Sequence, residues 1–154
     1  MKITAQEEYG LRCLIQLARR PMGQMATVKE IARLEGLSTA YVEKLLRALN
    51  RAGLVKSVRG IKGGYLLTQP PSTVTLAQVV RALGSILTTQ GICARYTGQR
   101  VECIHFSDCG IRSAWAGLTH YIEQFLEQTT LAQLLPDEKA VDRQLAHWVP
   151  KESL

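Results

Sequence analysis

Cys93, Cys103 and Cys109 are separated by nine and then five intervening residues. Thiols gathered on one stretch can act as soft ligands, which suits a soft metal ion or an iron-sulfur cluster. Zinc is an alternative, with His105 as a fourth ligand, although the paired close spacing of common zinc sites is missing. A thiol switch is a third: Arg95, Arg100 and Arg112 are close in sequence, and nearby cations favour the thiolate that oxidants attack. The fourth cysteine differs, because Cys13 falls in the apolar stripe of a predicted helix with Tyr9, Leu14, Leu17 and Ala18. It reads as a small buried hydrophobe. Structural disulfides are not expected, since the chain reads as cytoplasmic. Glu7, Glu8, Arg12 and Gln16 interrupt any signal-peptide core, and no run reaches the roughly 18 apolar residues needed to span a bilayer, so no membrane partner is expected.

The thiols need elements to hold them. Residues 85–110 show neither helical nor strand periodicity, and structureless loops longer than about 12 to 15 residues in compact domains are mostly functional or disordered. Before this loop, Thr75-Leu-Ala-Gln78 is a capping box that opens a helix with Leu76, Val79, Val80 and Leu83 inside, ending near Gly84. After it, Ile111 to Glu127 reads as a helix with Ile111, Trp115, Leu118, Ile122 and Phe125 on one stripe. That stripe is longer than a small domain core can cover, which predicts packing on the same helix of a second subunit. Thr130-Leu-Ala-Gln133 caps a short turn before Pro136, and residues 136–154 read as a polar C-terminal tail. The expected organisation is thus a first domain over 1–70, a dimerisation region over 71–135 containing the 85–110 cysteine loop, and the tail.

Charge separates the two halves. The chain holds 19 Lys and Arg against 13 Asp and Glu, a net +6, yet residues 1–70 carry 12 basic and 5 acidic residues while 71–154 are nearly neutral. Such asymmetry points to nucleic acid at the basic half. Thr27-Val-Lys-Glu30 reads as a capping box, Gly36 suits a left-handed helix end, and Ser38 can cap the next helix: two short helices with a tight turn, a helix-turn-helix. The helix from Thr39 to Ala52 puts Val42, Leu45, Leu46 and Leu49 on one arc and Ala40, Glu43, Lys44, Arg47 and Arg51 on the other. The strand Leu54–Val58, the basic turn Arg59-Gly-Ile-Lys-Gly-Gly64 and the return strand Tyr65–Leu67 form a hairpin placed as a wing. The fold class is therefore mainly α, a winged helix-turn-helix with a two-stranded wing and a long C-terminal dimerisation helix. The candidate DNA-contacting residues are Lys2, Ser38, Thr39, Tyr41, Glu43, Lys44, Arg47, Arg59, Lys62 and Gly63, with the start of the second helix facing bases and the wing facing phosphates or the minor groove. No phosphate loop, nucleophile elbow or paired acids support an enzyme. A winged helix used for protein interaction is the rival reading that shares this architecture.

The chain resembles the IscR/NsrR family of iron-sulfur winged-helix transcription regulators over residues 1 to about 135. The resemblance rests on Met1-Lys-Ile-Thr4, Glu8-Tyr-Gly-Leu-Arg12, Leu54-Val-Lys-Ser-Val-Arg-Gly60, Gly63-Gly-Tyr-Leu-Leu67, Thr75-Leu-Ala-Gln-Val-Val80, the three-cysteine loop and Trp115. It implies a homodimeric repressor or activator on a palindromic double-stranded DNA operator, reporting iron, redox or nitric oxide status through an iron-sulfur cluster of two or four irons. By the same resemblance Cys93, Cys103 and Cys109 are the thiolate ligands. Two departures stand out: the first two cysteines lie further apart here than is common in the family, and Arg112 occupies the position of the histidine ligand found in some members. Other members use a carboxylate from the first helix of the partner subunit, and the matching residue is Glu8, with His105 and Asp108 as rivals.

Overall fold

In a computed structural model, which describes residues 3–60, 63–84 and 96–148, the chain begins with helix α1 (Ala5–Ala18). Thr4 starts it with a full capping box: its hydroxyl accepts from the Glu7 amide, while the Glu7 carboxylate accepts from the Thr4 amide at 2.7 Å. Two orphan amides at the helix start are thereby satisfied. Helix α2 (Val28–Glu35) is capped by the Thr27 hydroxyl, which accepts from the Glu30 amide at 3.2 Å. The expected box closes only on that side, because the Glu30 carboxylate takes the Arg20 guanidinium at 2.6 Å. Gly36 ends α2 at φ +66°, a left-handed geometry that costs other residues a Cβ clash. Ser38 then caps α3 (Thr39–Arg51), its hydroxyl accepting from the Tyr41 amide.

Strands β1 (Val55–Val58) and β2 (Gly64–Leu67) pair antiparallel with Val55 opposite Leu67 and Val58 opposite Gly64. A bridge the sequence did not announce adds Ala26 to the sheet, with two amide-carbonyl bonds of 2.9 Å exchanged with Tyr65. It ties the wing to the segment entering α2. After a single 3-10 turn at Pro71–Thr73 comes α4 (Leu76–Leu83), which starts on the Thr75–Gln78 box and ends at Gly84 as expected.

The core is made by α1, α2, α3 and both strands, and it continues past the Pro70-Pro71 step into α4 and Leu131. Val42, Leu45, Leu46 and Leu49, the predicted inner arc of α3, are all at most 1% exposed, and Cys13, Leu14 and Ile31 pack with them. Gly10 of α1 lets α4 approach closely, since a Cβ there would lie 2.2 Å from Leu83 Cδ1.

Helix α5 (Gly110–Gln128) outlasts the predicted span by one residue at each end. Its last turn is fastened to the body by Arg81–Glu127 at 2.5 Å, by the Leu76 amide on the Thr129 carbonyl and by the Leu131 amide on the Val74 carbonyl. The two Thr-Leu-Ala-Gln caps thus lie side by side, with Thr75 bridged to Thr130. A 3-10 turn (Leu131–Leu134) follows. Within the span read as a tail, Asp137 caps a further helix, α6 (Glu138–Leu145). Among the described residues no helix is long and apolar enough to cross a membrane.

Candidate nucleic-acid interface and cysteine loop

Burying one arc of α3 fixes what the other arc offers. Thr39, Lys44, Arg47 and Arg51 are exposed and Glu43 is half-buried, with Arg47 held by Glu43 at 2.6 Å across one helical turn. Ser38 is committed to the cap. Tyr41 is also less free than its place in the sequence suggests. Its ring meets Tyr9 of α1 edge-on, with centroids 6.1 Å apart, so it anchors the start of α3 as well as bordering its outer face.

Arg59 is exposed at the wing turn. Gly63 closes that turn, its amide donating to the Gly60 carbonyl at 2.9 Å, and a Cβ at Gly63 would lie 2.5 Å from the Val58 carbonyl oxygen. A side chain at this position would therefore collide with the backbone of the wing. Lys2 and Lys62 lie outside the described residues.

Helix α1 joins the helix-turn-helix to the end of α4. Toward α2, Arg12 Nε donates to Glu35 at 2.7 Å and Gln16 Nε2 to the other oxygen of the same carboxylate at 2.5 Å. The Glu35 side chain is only 7% exposed and immediately precedes the Gly36 turn. The hydrogen bond to Glu35, reinforced by its charge, holds the Arg12 guanidinium above its ordinary value, and the same group lies 5.5 Å over the Tyr9 ring. Toward α4, the Gln6 amide donates to the Leu83 carbonyl and Gly10 receives the Leu83 side chain. Glu8, one turn before Arg12, is exposed. None of these long-range pairings follows from local spacing. The nearest sequence signal is the run Glu8-Tyr-Gly-Leu-Arg12, whose members now have separate physical tasks.

The described part of the cysteine loop, residues 96–109, consists of turns and bends. Arg112 pins it to the first turn of α5, donating to the His105 carbonyl at 3.3 Å and to the Phe106 carbonyl, and stacking 5.4 Å over the Phe106 ring. Cys103 accepts the Phe106 amide on its carbonyl at 3.0 Å. Cys109 stands at the N-cap of α5 and makes no side-chain capping bond. Both thiols are free and half-buried. Cys13, by contrast, is sealed in the core, where burial pushes its thiol up to about 12. His105 and Asp108 are exposed. Cys93 and Arg95 lie outside the described residues, and among those described no three Cys, His, Asp or Glu side chains gather closely enough to hold a metal ion.

The same stretch of chain carries exposed apolar side chains. Tyr96, Val101, Ile104 and Phe106 of the loop are exposed, and the stripe of α5 continues them with Ile111 at 67%, Trp115 at 48% and Leu118 at 49% exposure.

A helix-turn-helix with a free, cationic second helix, followed by a glycine-built hairpin, defines a winged-helix DNA-binding protein. The chain belongs to the Rrf2 family: the family model, described as an iron-dependent transcriptional regulator, matches residues 3–137. It is similar to the transcriptional regulator CymR of Bacillus subtilis, with 32% identity over 134 residues, covering 87% of this chain and 89% of the relative. The solved structure of that protein, the global cysteine regulator of B. subtilis, superposes with a TM-score of 0.68 at 32% identity over 88% of this chain and 96% of the other. IscR of T. potens is equally similar in structure, with a TM-score of 0.68 and 31% identity over 88% of this chain and 86% of that one. The protein is thus a DNA-binding transcriptional regulator by family, which agrees with the charge and fold of its N-terminal half.

Proposed function

We propose that this chain is a homodimeric regulator, acting as repressor or activator on a palindromic operator, whose DNA binding is controlled by an iron-sulfur cluster on the cysteine loop. The observation that carries this reading is the contrast among the thiols. Cys103 and Cys109 are free and half-buried where the loop enters α5, whereas Cys13 is sealed in the core. The donor set fits such a group, since thiolates are the usual ligands of iron-sulfur clusters. Cys93, Cys103 and Cys109 would hold it, with Glu8 of the partner subunit as fourth ligand. A two-iron or four-iron cluster supplies redox and ligand-exchange chemistry through which iron supply, oxidation or nitric oxide can be reported.

The chain's own residues do the rest. The exposed stripe of α5 joins two copies, so that two α3 helices face successive major-groove half-sites, with Thr39, Tyr41, Glu43 and Lys44 toward bases. Arg47, together with Arg59, Lys62 and Gly63 of the wing, and with Lys2, meets the backbone. Glu8 lies one turn from Arg12, and Arg12 grips Glu35 beside the helix-turn-helix turn, so a force on α1 at Glu8 has a short rigid route to α3.

Anaerobic purification with visible absorbance and iron and sulfide analysis tests the reading, with wild type compared to Cys93→Ala. A coloured wild type, a colourless variant and different operator affinities are expected. The operator affinity itself falls steeply with salt, and Arg59→Ala reduces the magnitude of the log-log slope by about one. A colourless, iron-free wild type that binds its operator normally sinks the cluster. Salt-insensitive binding sinks the phosphate contacts and favours a protein-interaction role. A second reading is a cluster-free regulator that senses the oxidation of these same thiols, and the similarity to a regulator of cysteine, CymR, supports a role other than iron reporting. It predicts iron-free protein whose operator affinity changes with reversible oxidation and not with iron.

A further inference from the structure

The family match stops at residue 137, and helix α6 lies immediately beyond it. This extension is built to fold back. The Asp137 carboxylate accepts from the Ala140 amide at 2.9 Å and starts α6, whose Ala140, Val141 and Leu145 are half-buried while Glu138, Lys139 and Arg143 are exposed. The helix packs against the 3-10 turn Leu131–Leu134. The chain then turns, the Trp148 amide donating to the Leu145 carbonyl at 2.8 Å. That turn sets the Trp148 ring edge-to-face on two residues one helical turn apart in α5, with centroids 5.1 Å from Tyr121 and 5.4 Å from Phe125.

The extension therefore divides the apolar face of α5. Its N-terminal part, Ile111, Trp115 and Leu118, has no cover among the described residues, while Phe125 and Ile122 are half-buried near the end where Trp148 sits. An isolated projecting helix held only at its last turn would lose conformational freedom on pairing. A helix already fixed along its second half loses less, and reduced ordering cost appears as affinity. Edge-to-face aromatic pairs also favour one geometry over others, unlike a smear of aliphatic contact.

We propose that α6 and Trp148 form a brace that fixes the C-terminal half of α5 in its own subunit, so that the N-terminal half is presented, preorganised, to a second copy of the chain. Trp148 is then a positioning residue for self-association. This rests on the reading of α5 as the dimer helix.

Sedimentation equilibrium of the full chain, with Trp148→Ala and Trp148→Phe beside wild type, tests it. The expected result is self-association weakened about tenfold by alanine and largely restored by phenylalanine, which keeps an edge-to-face partner. Hydrogen exchange on the same proteins supplies a second readout. Amides in the last three turns of α5 should exchange faster in Trp148→Ala while those of α1 and α3 stay unchanged. Unaltered dimer affinity, or unaltered exchange in α5, overturns the brace. Tighter association of Trp148→Ala also overturns it, because the ring would then be shielding a surface that a second copy prefers to use. A wild type that stays monomeric at every concentration overturns the dimer reading itself, and the brace falls with it.

Discussion

The winged-helix half and the loop-and-α5 half are apolar in similar proportion but use it in opposite ways. In the first, α1, α2, α3 and α4 turn Leu14, Ile31, Leu45, Leu46, Leu49 and Val79 toward one another, and each is at most 2% exposed. In the second, none of the 19 residues of α5 is fully buried, and Ile111, Trp115 and Leu118 face outward beside Phe106 and Ile104. One half has satisfied its hydrophobic pattern within the chain. The other carries the pattern to the surface together with two accessible thiols. A region that completes its core alone can act as a rigid reader of DNA, whereas one that leaves its core open needs another surface, and its geometry can depend on what that surface does. On the proposed function, the division between reader and sensor would follow where burial ends.

Thiol reactivity should separate the two halves by the widest margin. Burial pushes Cys13 up to about 12 from an ordinary 9.0, so its thiolate fraction near neutral pH falls about a thousandfold. Cys103 and Cys109 are half-buried on a loop of turns. Alkylation of the reduced, metal-free protein with iodoacetamide, followed by peptide mass analysis, should label Cys103 and Cys109 in the native state and Cys13 only on unfolding. Rapid native labelling of Cys13 would mean that the core of the reader opens far more readily than its packing implies.

Leucine truncation in each half gives the next largest difference. Leu46 is fully buried on α3, and Leu46→Ala should cost about 2–5 kcal/mol in urea unfolding through lost transfer energy and the cavity left behind. Leu118 is 49% exposed, so Leu118→Ala should stay within about 0.5 kcal/mol for the isolated chain while weakening self-association. Equal destabilisation by both, at concentrations where the chain is monomeric, would show that α5 has a core of its own.

The reader was legible in the sequence because its signals are local. Thr27, Ser38, Thr75 and Thr130 announce their helices, the 3.6-residue spacing of Val42, Leu45, Leu46 and Leu49 separates the faces of α3, and the glycines around Arg59 mark the wing. What escaped was the choice of distant partners. Glu30 pairs with Arg20 instead of closing its box, Glu35 collects Arg12 and Gln16, and Ala26 joins the sheet, none of which a spacing rule ranks above its rivals. The span beyond Pro136 reads as polar because the only apolar side chains that α6 half-buries are Ala140, Val141 and Leu145, too short a stripe to stand out. The cysteine loop offered a donor set in the sequence but no geometry. It has no period to fix its path, and the fourth ligand proposed for it, Glu8 of a second copy, could not be read from the order of one chain.

The smallest effect concerns the polar surface of the reader. The hydrogen bond from Arg20 holds the Glu30 carboxyl below its ordinary value of 4.5, with Arg33 adding to the same field. A carboxylate depressed in the folded state contributes stability that is present above its unfolded value and is lost as pH falls through the folded one. The Glu30 side chain is 38% exposed, so water screens the pair and its worth at neutral pH should be no more than about 1 kcal/mol. Glu30→Gln should therefore lower Tm slightly at pH 7, and the gap to wild type should shrink as pH falls from about 5 toward 3. Only the difference between the two proteins is informative, since the other carboxylates titrate in both. A gap that stays constant across this range would assign the loss to packing or to the hydrogen bond alone. A gap of several kcal/mol would mean that this exposed pair rivals a core leucine, and that the reader depends on its surface as much as on its burial.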